Sequence, residues 1–188
     1  MTVHSGVETE IKIRVGDVEE IEAKLRSRGF TETSPRAFES NTVWDTPERD
    51  LKGSGELVRL RTTRGRHVLT YKGKAHTEKY KSREELESEC SSVDALQRVF
   101  ARLGLEPMFR YEKYRTEFQR QGEEGIVTVD ETPIGNFIEL EGEPAWIDTV
   151  AEELGFHERD FSTTSYGRLY LEHCERSGIA AGHMVFAQ

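Results

Sequence analysis

Cysteine is scarce in this chain of 188 residues. Cys90 and Cys174 lie far apart and outside any C-x-x-C spacing. That excludes a disulfide scaffold and a paired-cysteine zinc site, and it makes a reducing cytoplasm the expected location. Long hydrophobic runs are also lacking: only 35% of the residues are hydrophobic, and no stretch approaches the roughly 18 to 20 apolar residues that cross a bilayer. The opening residues carry no signal-peptide core, so neither membrane insertion nor secretion is expected. The six histidines, at 4, 67, 76, 157, 173 and 183, show no H-x-x-x-H or carboxylate-linked metal spacing. No Pro/Gly/Ser-rich linker, repeat or low-complexity tract divides the chain, which reads as one domain over 1–177 with a loosely held tail over 178–188.

Charge is abundant but uneven. The chain holds 35 acidic and 26 basic side chains for a net charge of -9, which argues against a nucleic-acid partner. Residues 59–83 nevertheless carry nine Lys/Arg against the single acid Glu78, leaving 17 bases and 34 acids elsewhere.

Strand after strand alternates charge with apolar or small residues. In 7–15, Glu8, Glu10, Lys12 and Arg14 share one face, while Val7, Ile11, Ile13 and Val15 share the other. Further strands are expected at 37–45, 57–63, 67–74, 82–90, 109–119, 125–131 and 137–142. Arg59 and Arg61 alternate with Val58 and Leu60, Glu139 and Glu141 with Ile138 and Leu140, and Arg83, Glu85 and Glu87 repeat the pattern. Lys113, Arg115 and Glu117 do so again, and Lys72 and Lys74 share a face of their strand. Helices are expected after Asp17, with a Val18, Ile21 and Leu25 stripe ended by Gly29, and at 93–103, with Leu96, Val99, Phe100 and Leu103 buried. Two more, at 144–154 and 163–176, finish the chain.

Helix stripes of this kind need an apolar surface, and only the Ile/Leu/Val face of the sheet supplies one. If helices cover that face, the charged face of a closed sheet points inward. An eight-stranded barrel has an interior wide enough for side chains or one small ligand. Its lumen would hold Lys12, Arg59, Arg61, Lys72, Arg83, Lys113 and Arg115 beside Glu8, Glu10, Glu85, Glu87, Asp130, Glu139 and Glu141. Burying so many ions for structure alone costs several kcal/mol per ion, so the lumen should be wet and functional. Cations and acids together suit a polyphosphate with a bound divalent metal: Arg and Lys hold phosphate oxygens, and carboxylates give Mg2+ or Mn2+ hard oxygen ligands.

The same residues carry a resemblance. Glu8-Thr9-Glu10-Ile11-Lys12 is similar to the E-x-E-x-K that opens the CYTH superfamily, the triphosphate tunnel metalloenzymes that include class IV adenylate cyclases and thiamine triphosphatases. The remaining motifs follow in order: R-x-R at Arg59 and Arg61, Lys72 in T-Y-K-G-K, and R-E-E-L-E from Arg83 to Glu87. K-x-R stands at Lys113 and Arg115, the aspartate is Asp130 in V-D-E-T-P-I-G, and the closing E-x-E is Glu139 and Glu141. Ser165-Tyr166 resembles the start of the family's C-terminal helix, although Gly167-Arg168 departs from its S-Y-x-E-L. The resemblance implies an α+β, mainly antiparallel β fold: an eight-stranded closed tunnel with helices packed outside. It implies metal ligation by Glu8, Glu10, Glu139 and Glu141 with Asp130 nearby, and catalysis centred on Glu8, Glu10 and Lys12. Lys12, Arg59, Arg61, Lys72, Arg83, Lys113 and Arg115 would bind substrate, and Lys74, Glu85 and Glu87 would complete the wall.

The activity expected is Mg2+- or Mn2+-dependent hydrolysis of inorganic triphosphate, ATP or thiamine triphosphate. The alternatives are a class IV adenylate cyclase and a non-catalytic nucleotide or polyphosphate sensor; a homodimer is compatible with the sequence. Other features have plainer readings. Gly53-Ser54-Gly55 is a turn and lacks the P-loop pattern, Arg64-Gly65-Arg66 is a hairpin tip, and Trp44 and Trp146 are packing residues. Cys90 is a packed thiol on the outward face, and Tyr111 shares the parity of Lys113, which makes it a candidate for the lumen.

Overall fold

The computed structural model describes residues 3–187, with side chains from residue 6 onward. The elements are β1 (Val3–Val15), α1 (Val18–Ser27), β2 (Phe30–Asp45), α2 (Asp50–Ser54), β3 (Leu57–Thr63), β4 (Arg66–Lys72), β5 (His76–Thr77) and β6 (Lys81–Cys90). They continue with α3 (Val93–Arg102), β7 (Glu106–Arg120), β8 (Ile126–Thr132), β9 (Gly135–Glu141), α4 (Pro144–Glu153), β10 (Phe161–Ser162) and α5 (Tyr166–Ser177). Asp17 caps α1 by accepting from the Glu20 amide, and Gly29, at φ 84°, takes the left-handed conformation that ends it. The Ser92 and Ser165 side chains cap α3 and α5.

Antiparallel pairings run β1-β9-β8-β7-β2-β3-β4-β6, and β6 returns to β1 from Val3↔Ser88 to Glu10↔Lys81. That last seam closes eight strands into a barrel, while β5 and β10 are short additions on β6 and β1. The apolar faces point outward. Ile11, Ile13, Phe118, Val127, Val129, Ile138 and Leu140 form one buried cluster with Ile21 and Leu25 of α1 and Ile147, Val150 and Ala151 of α4. A smaller cluster joins Trp44 and Leu60 to Phe100 of α3, with Cys90 packed beside it. Trp146 packs against the larger cluster and over Gly125, where an added Cβ would lie 2.4 Å from the indole. No helix among the described residues is long and apolar enough to cross a membrane.

Several details differ from the sequence reading. β2 begins at Phe30, because the pairing with β7 continues through register shifts around Ser34 that interrupt the alternation. In α3 only Phe100 is buried: Val99 is 50% and Leu103 69% exposed, since the helix meets the barrel along a narrow line. The segment after Ser177, read as loosely held, instead returns to the barrel. Beyond the reach of β8, the first half of β7 has a free edge, and the tail fills it. The Met184 amide donates to Arg110 O at 3.0 Å, the Glu112 amide donates to Met184 O at 2.8 Å, and the Met184 side chain is fully buried.

Candidate functional site

The charged faces enclose a cavity of about 950 Å3 lined by Glu8, Glu10, Lys12, Arg59, Arg61, Lys72, Arg83, Glu85, Glu87, Lys113, Arg115, Glu139 and Glu141. Strand alternation delivers them. Opposed residues of an antiparallel pair share a face, so Glu10↔Glu141, Lys12↔Glu139, Glu8↔Arg83 and Arg115↔Asp130 each bring two strands' charges together. Asp130 lies beneath the lining, fully buried.

The ions form three connected groups. Around β1, β4 and β6, Lys72 sits 2.6 Å from Glu8 and 3.0 Å from Glu85, and the Arg83 Nε donates to Glu8 at 3.4 Å. Around β1 and β7–β9, Lys12 pairs with Glu139 at 2.6 Å, and Arg115 forks onto both oxygens of Asp130 at 2.6 Å while also reaching Glu139. Lys113 and the Tyr166 hydroxyl donate to Asp130 as well, at 3.0 and 2.6 Å. Around β3, β4 and β6, Arg59 donates to Tyr111 Oη, Thr70 and Glu87, whereas Arg61 stands 3.8 Å from both Glu39 and Glu87. Tyr111 thus faces the lumen, as its parity suggested.

Burial and charge separate the carboxylates into two kinds. For Glu10, burial would raise the pKa, but Lys12 and Lys81 outweigh it and hold the carboxyl well below the usual range. Lys12 and Arg115 do the same for Glu139, and Arg61 and Lys113 hold Glu39 at about 2. Glu85 and Glu141 go the other way, both pushed up to about 7. At Glu141 the causes are burial and then the neighbouring charge of Glu8. Among the described residues the Glu141 carboxylate has neither an ion-pair nor a hydrogen-bond partner. No three His, Cys, Asp or Glu side chains converge at metal-ligand spacing among the described residues, and lysine nitrogens sit 2.6 Å from Glu8 and Glu10.

Lys74 is exposed and outside the cavity: β4 stops at Lys72, so the alternation does not carry on, and the Lys74 side chain packs over Gly55. Three buried polar residues escaped the sequence reading. Lys81 lies 2.6 Å from Glu10; it has the parity of Arg83, and setting the start of β6 one residue earlier would have exposed it. Glu39 and Asn41 share the face of Val43, which lines the cavity. Asn41 is fully buried opposite Arg61 and Tyr111, with no partner for its amide nitrogen or oxygen. Arg64 and Gly65 form an exposed hairpin tip away from the site.

Comparison with known proteins agrees with this geometry. A protein of Methanocaldococcus jannaschii, provisionally named an adenylate cyclase, is 27% identical over 151 residues, covering 79% of this chain and 85% of its own. A solved structure from Pyrococcus horikoshii is 28% identical with a TM-score of 0.75, covering 88% of this chain and 99% of its own. The fold is also shared with a Hippeastrum protein, provisionally an adenylyl cyclase, whose structure is described as revealing a dominant triphosphatase activity. That likeness has 19% identity and a TM-score of 0.60, over 93% of this chain and 97% of the other. The CYTH domain pattern matches residues 6–166, from the first lumen carboxylates to the start of α5. The chain belongs to the CYTH domain family.

Proposed function

We propose that this protein is a divalent-metal-dependent triphosphatase acting inside the barrel. The carrying observation is one enclosed lumen in which Arg and Lys side chains from β1, β3, β4, β6 and β7 face a carboxylate group that includes the unpartnered Glu141. A polyanion alone has no use for that acidic set, and a cation alone has no use for the basic one. The donor set fits a hard dication: Glu8, Glu10, Glu139 and Glu141 offer carboxylate oxygens, and the raised Glu141 marks negative charge in excess of local cations. Bound Mg2+ or Mn2+ would supply phosphate charge neutralisation and acidify a water.

The chain's own residues do the rest. Arg59, Arg61, Lys113 and Arg115 bind phosphoryl oxygens through forked and point charges and stabilise the charge that develops during transfer. Asp130 orients two of those cations by accepting from Arg115 and Lys113. Lys72 and Lys81 hold Glu8 and Glu10 in place, and an incoming phosphate offers these lysines a second anion, freeing carboxylate oxygens for metal. Arg83, Glu85 and Glu87 complete the wall of the lumen.

A second reading, ATP cyclisation to cyclic AMP and pyrophosphate, is favoured by the name of the M. jannaschii relative and uses the same residues. Incubation with inorganic triphosphate, thiamine triphosphate and ATP, each with Mg2+ or Mn2+, followed by product chromatography, separates the two. Orthophosphate release that stops in EDTA and in Glu10→Ala supports hydrolysis. Cyclic AMP with pyrophosphate establishes the cyclase, and binding without product leaves a sensor.

A further inference from the structure

The C-terminal tail lies outside the matched family region of 6–166, yet it enters the same cavity. Ala181, Gly182 and His183 line it, together with Gly167 and Arg168 of the first turn of α5. Three hydrogen bonds fix this segment along the free edge of β7, and the Phe186 amide adds a fourth to the Glu112 carboxylate at 3.2 Å. His183 Nδ1 accepts from the Arg110 amide at 3.2 Å, and the Met184 amide and carbonyl bond to Arg110 and Glu112 on either side of Tyr111. Those contacts end one residue before Lys113, on the strand that carries both Lys113 and Arg115.

Met184 is fully buried in a cluster with Tyr111, Ile134, Phe137 and Tyr166. Tyr166 is clamped there edge-on to Phe137, at 5.5 Å between ring centroids, with its hydroxyl 2.6 Å from Asp130 Oδ2. The Lys12 and Lys113 ammonium groups stand 4.9 and 5.3 Å from the Tyr166 ring centroid. A side chain so enclosed has few alternative rotamers, and Met184 belongs to the same buried cluster, bridged through its backbone to Tyr111, whose ring lies 6.3 Å from that of Tyr166.

We propose that Met184 is a positioning residue for the triphosphate site: the tail, through Met184, holds Tyr166 against Asp130 and thereby aims the Lys113 and Arg115 pair into the lumen. This rests on the triphosphate reading of the cavity. The effect passes through the Tyr166–Asp130 hydrogen bond, so removing Met184 and removing the Tyr166 hydroxyl damage one and the same linkage.

The test is a double-mutant cycle on the full chain, with inorganic triphosphate and Mn2+ as the titrant in calorimetry and thermal unfolding measured alongside. Tyr166→Phe and Met184→Ala are each expected to weaken triphosphate binding by about tenfold, the scale of one hydrogen bond to a charged group. The double variant should be no weaker than Tyr166→Phe alone, and Met184→Leu should restore affinity. Val185→Ser, on the exposed side of the tail, should bind as the unaltered protein does. A Met184→Ala protein that melts earlier but binds triphosphate normally overturns the proposal, as does a double variant whose losses multiply. An unaltered protein that does not bind triphosphate refutes the reading of the cavity itself, which is a separate outcome.

Discussion

Replacing Glu141 with glutamine removes a lumen carboxylate that burial and Glu8 disfavour more than the distant Lys72 favours it, and the consequence has a definite sign. Burial and Glu8 push its pKa from the ordinary 4.5 to about 7, so between these values the folded chain binds a proton that the unfolded chain has released. Its contribution to stability is complete below pH 4.5 and is lost as pH rises through 7. At about 1.4 kcal/mol per tenfold, the full displacement corresponds to at most about 3.5 kcal/mol, and water in the lumen screens part of it, leaving ~1–3 kcal/mol. Urea unfolding in EDTA at pH 5 and pH 8 reads this directly. The unaltered protein should lose more stability between the two pH values than Glu141→Gln does, by that amount. Glu85 is also pushed up to about 7 and its charge acts on Glu141, so the comparison is made in a Glu85→Gln background. Mn2+ at pH 8 should then stabilise the unaltered protein more than the variant, because a ligand that binds only the folded state adds its binding free energy. Equal pH dependences would refute the idea that burial and Glu8 outweigh the cations around Glu141.

Other outcomes follow from the same structure. Arg59→Ala removes donors to Tyr111, Thr70 and Glu87 as well as the phosphate contact proposed for it, so kcat/KM should fall by roughly 100-fold or more; an unchanged value in steady-state assays would contradict that proposed role. Asn41→Leu replaces two unpartnered amide atoms with methyl groups of similar shape, and should stabilise the ligand-free protein by about 1 kcal/mol, seen as a higher melting temperature. A lower one would mean that the amide is satisfied in solution. Gly125→Ala places a methyl group 2.4 Å from Trp146 and should destabilise by about 1–3 kcal/mol; normal stability would show that the indole moves freely.

The inversion of the barrel was legible because two patterns had to be satisfied together. The Ile21 and Leu25 stripe of α1 has no buried surface unless Ile11, Ile13, Val127 and Ile138 face it, and that assignment turns Glu10, Lys12 and Glu139 inward without further assumption. The eight long strands follow from alternation alone. The unread parts depend on long-range contacts that leave little trace in the local sequence. Met184 is one apolar residue among small ones, and nothing nearby shows that the edge of β7 is vacant. Val99 and Leu103 have the spacing of a buried stripe, but the width of the contact under α3 is set by the curvature of the barrel. Lys74 follows Lys72 in parity and fails only because β4 ends at Lys72.

The β1–β6 seam has a bearing on how this molecule comes apart. It joins residues 3–10 to 81–88, and the Glu8–Lys72, Glu8–Arg83 and Glu10–Lys81 pairs all cross onto β1. Unzipping this one stave opens the cylinder into a flat sheet and floods every ion pair along it, so no half-open form retains a working pocket. A polyanion bridging the two walls acts as a stitch across the seam. Amide hydrogen exchange along β1 and β6 should therefore slow first and most when inorganic triphosphate is bound, even where no bound atom touches those amides.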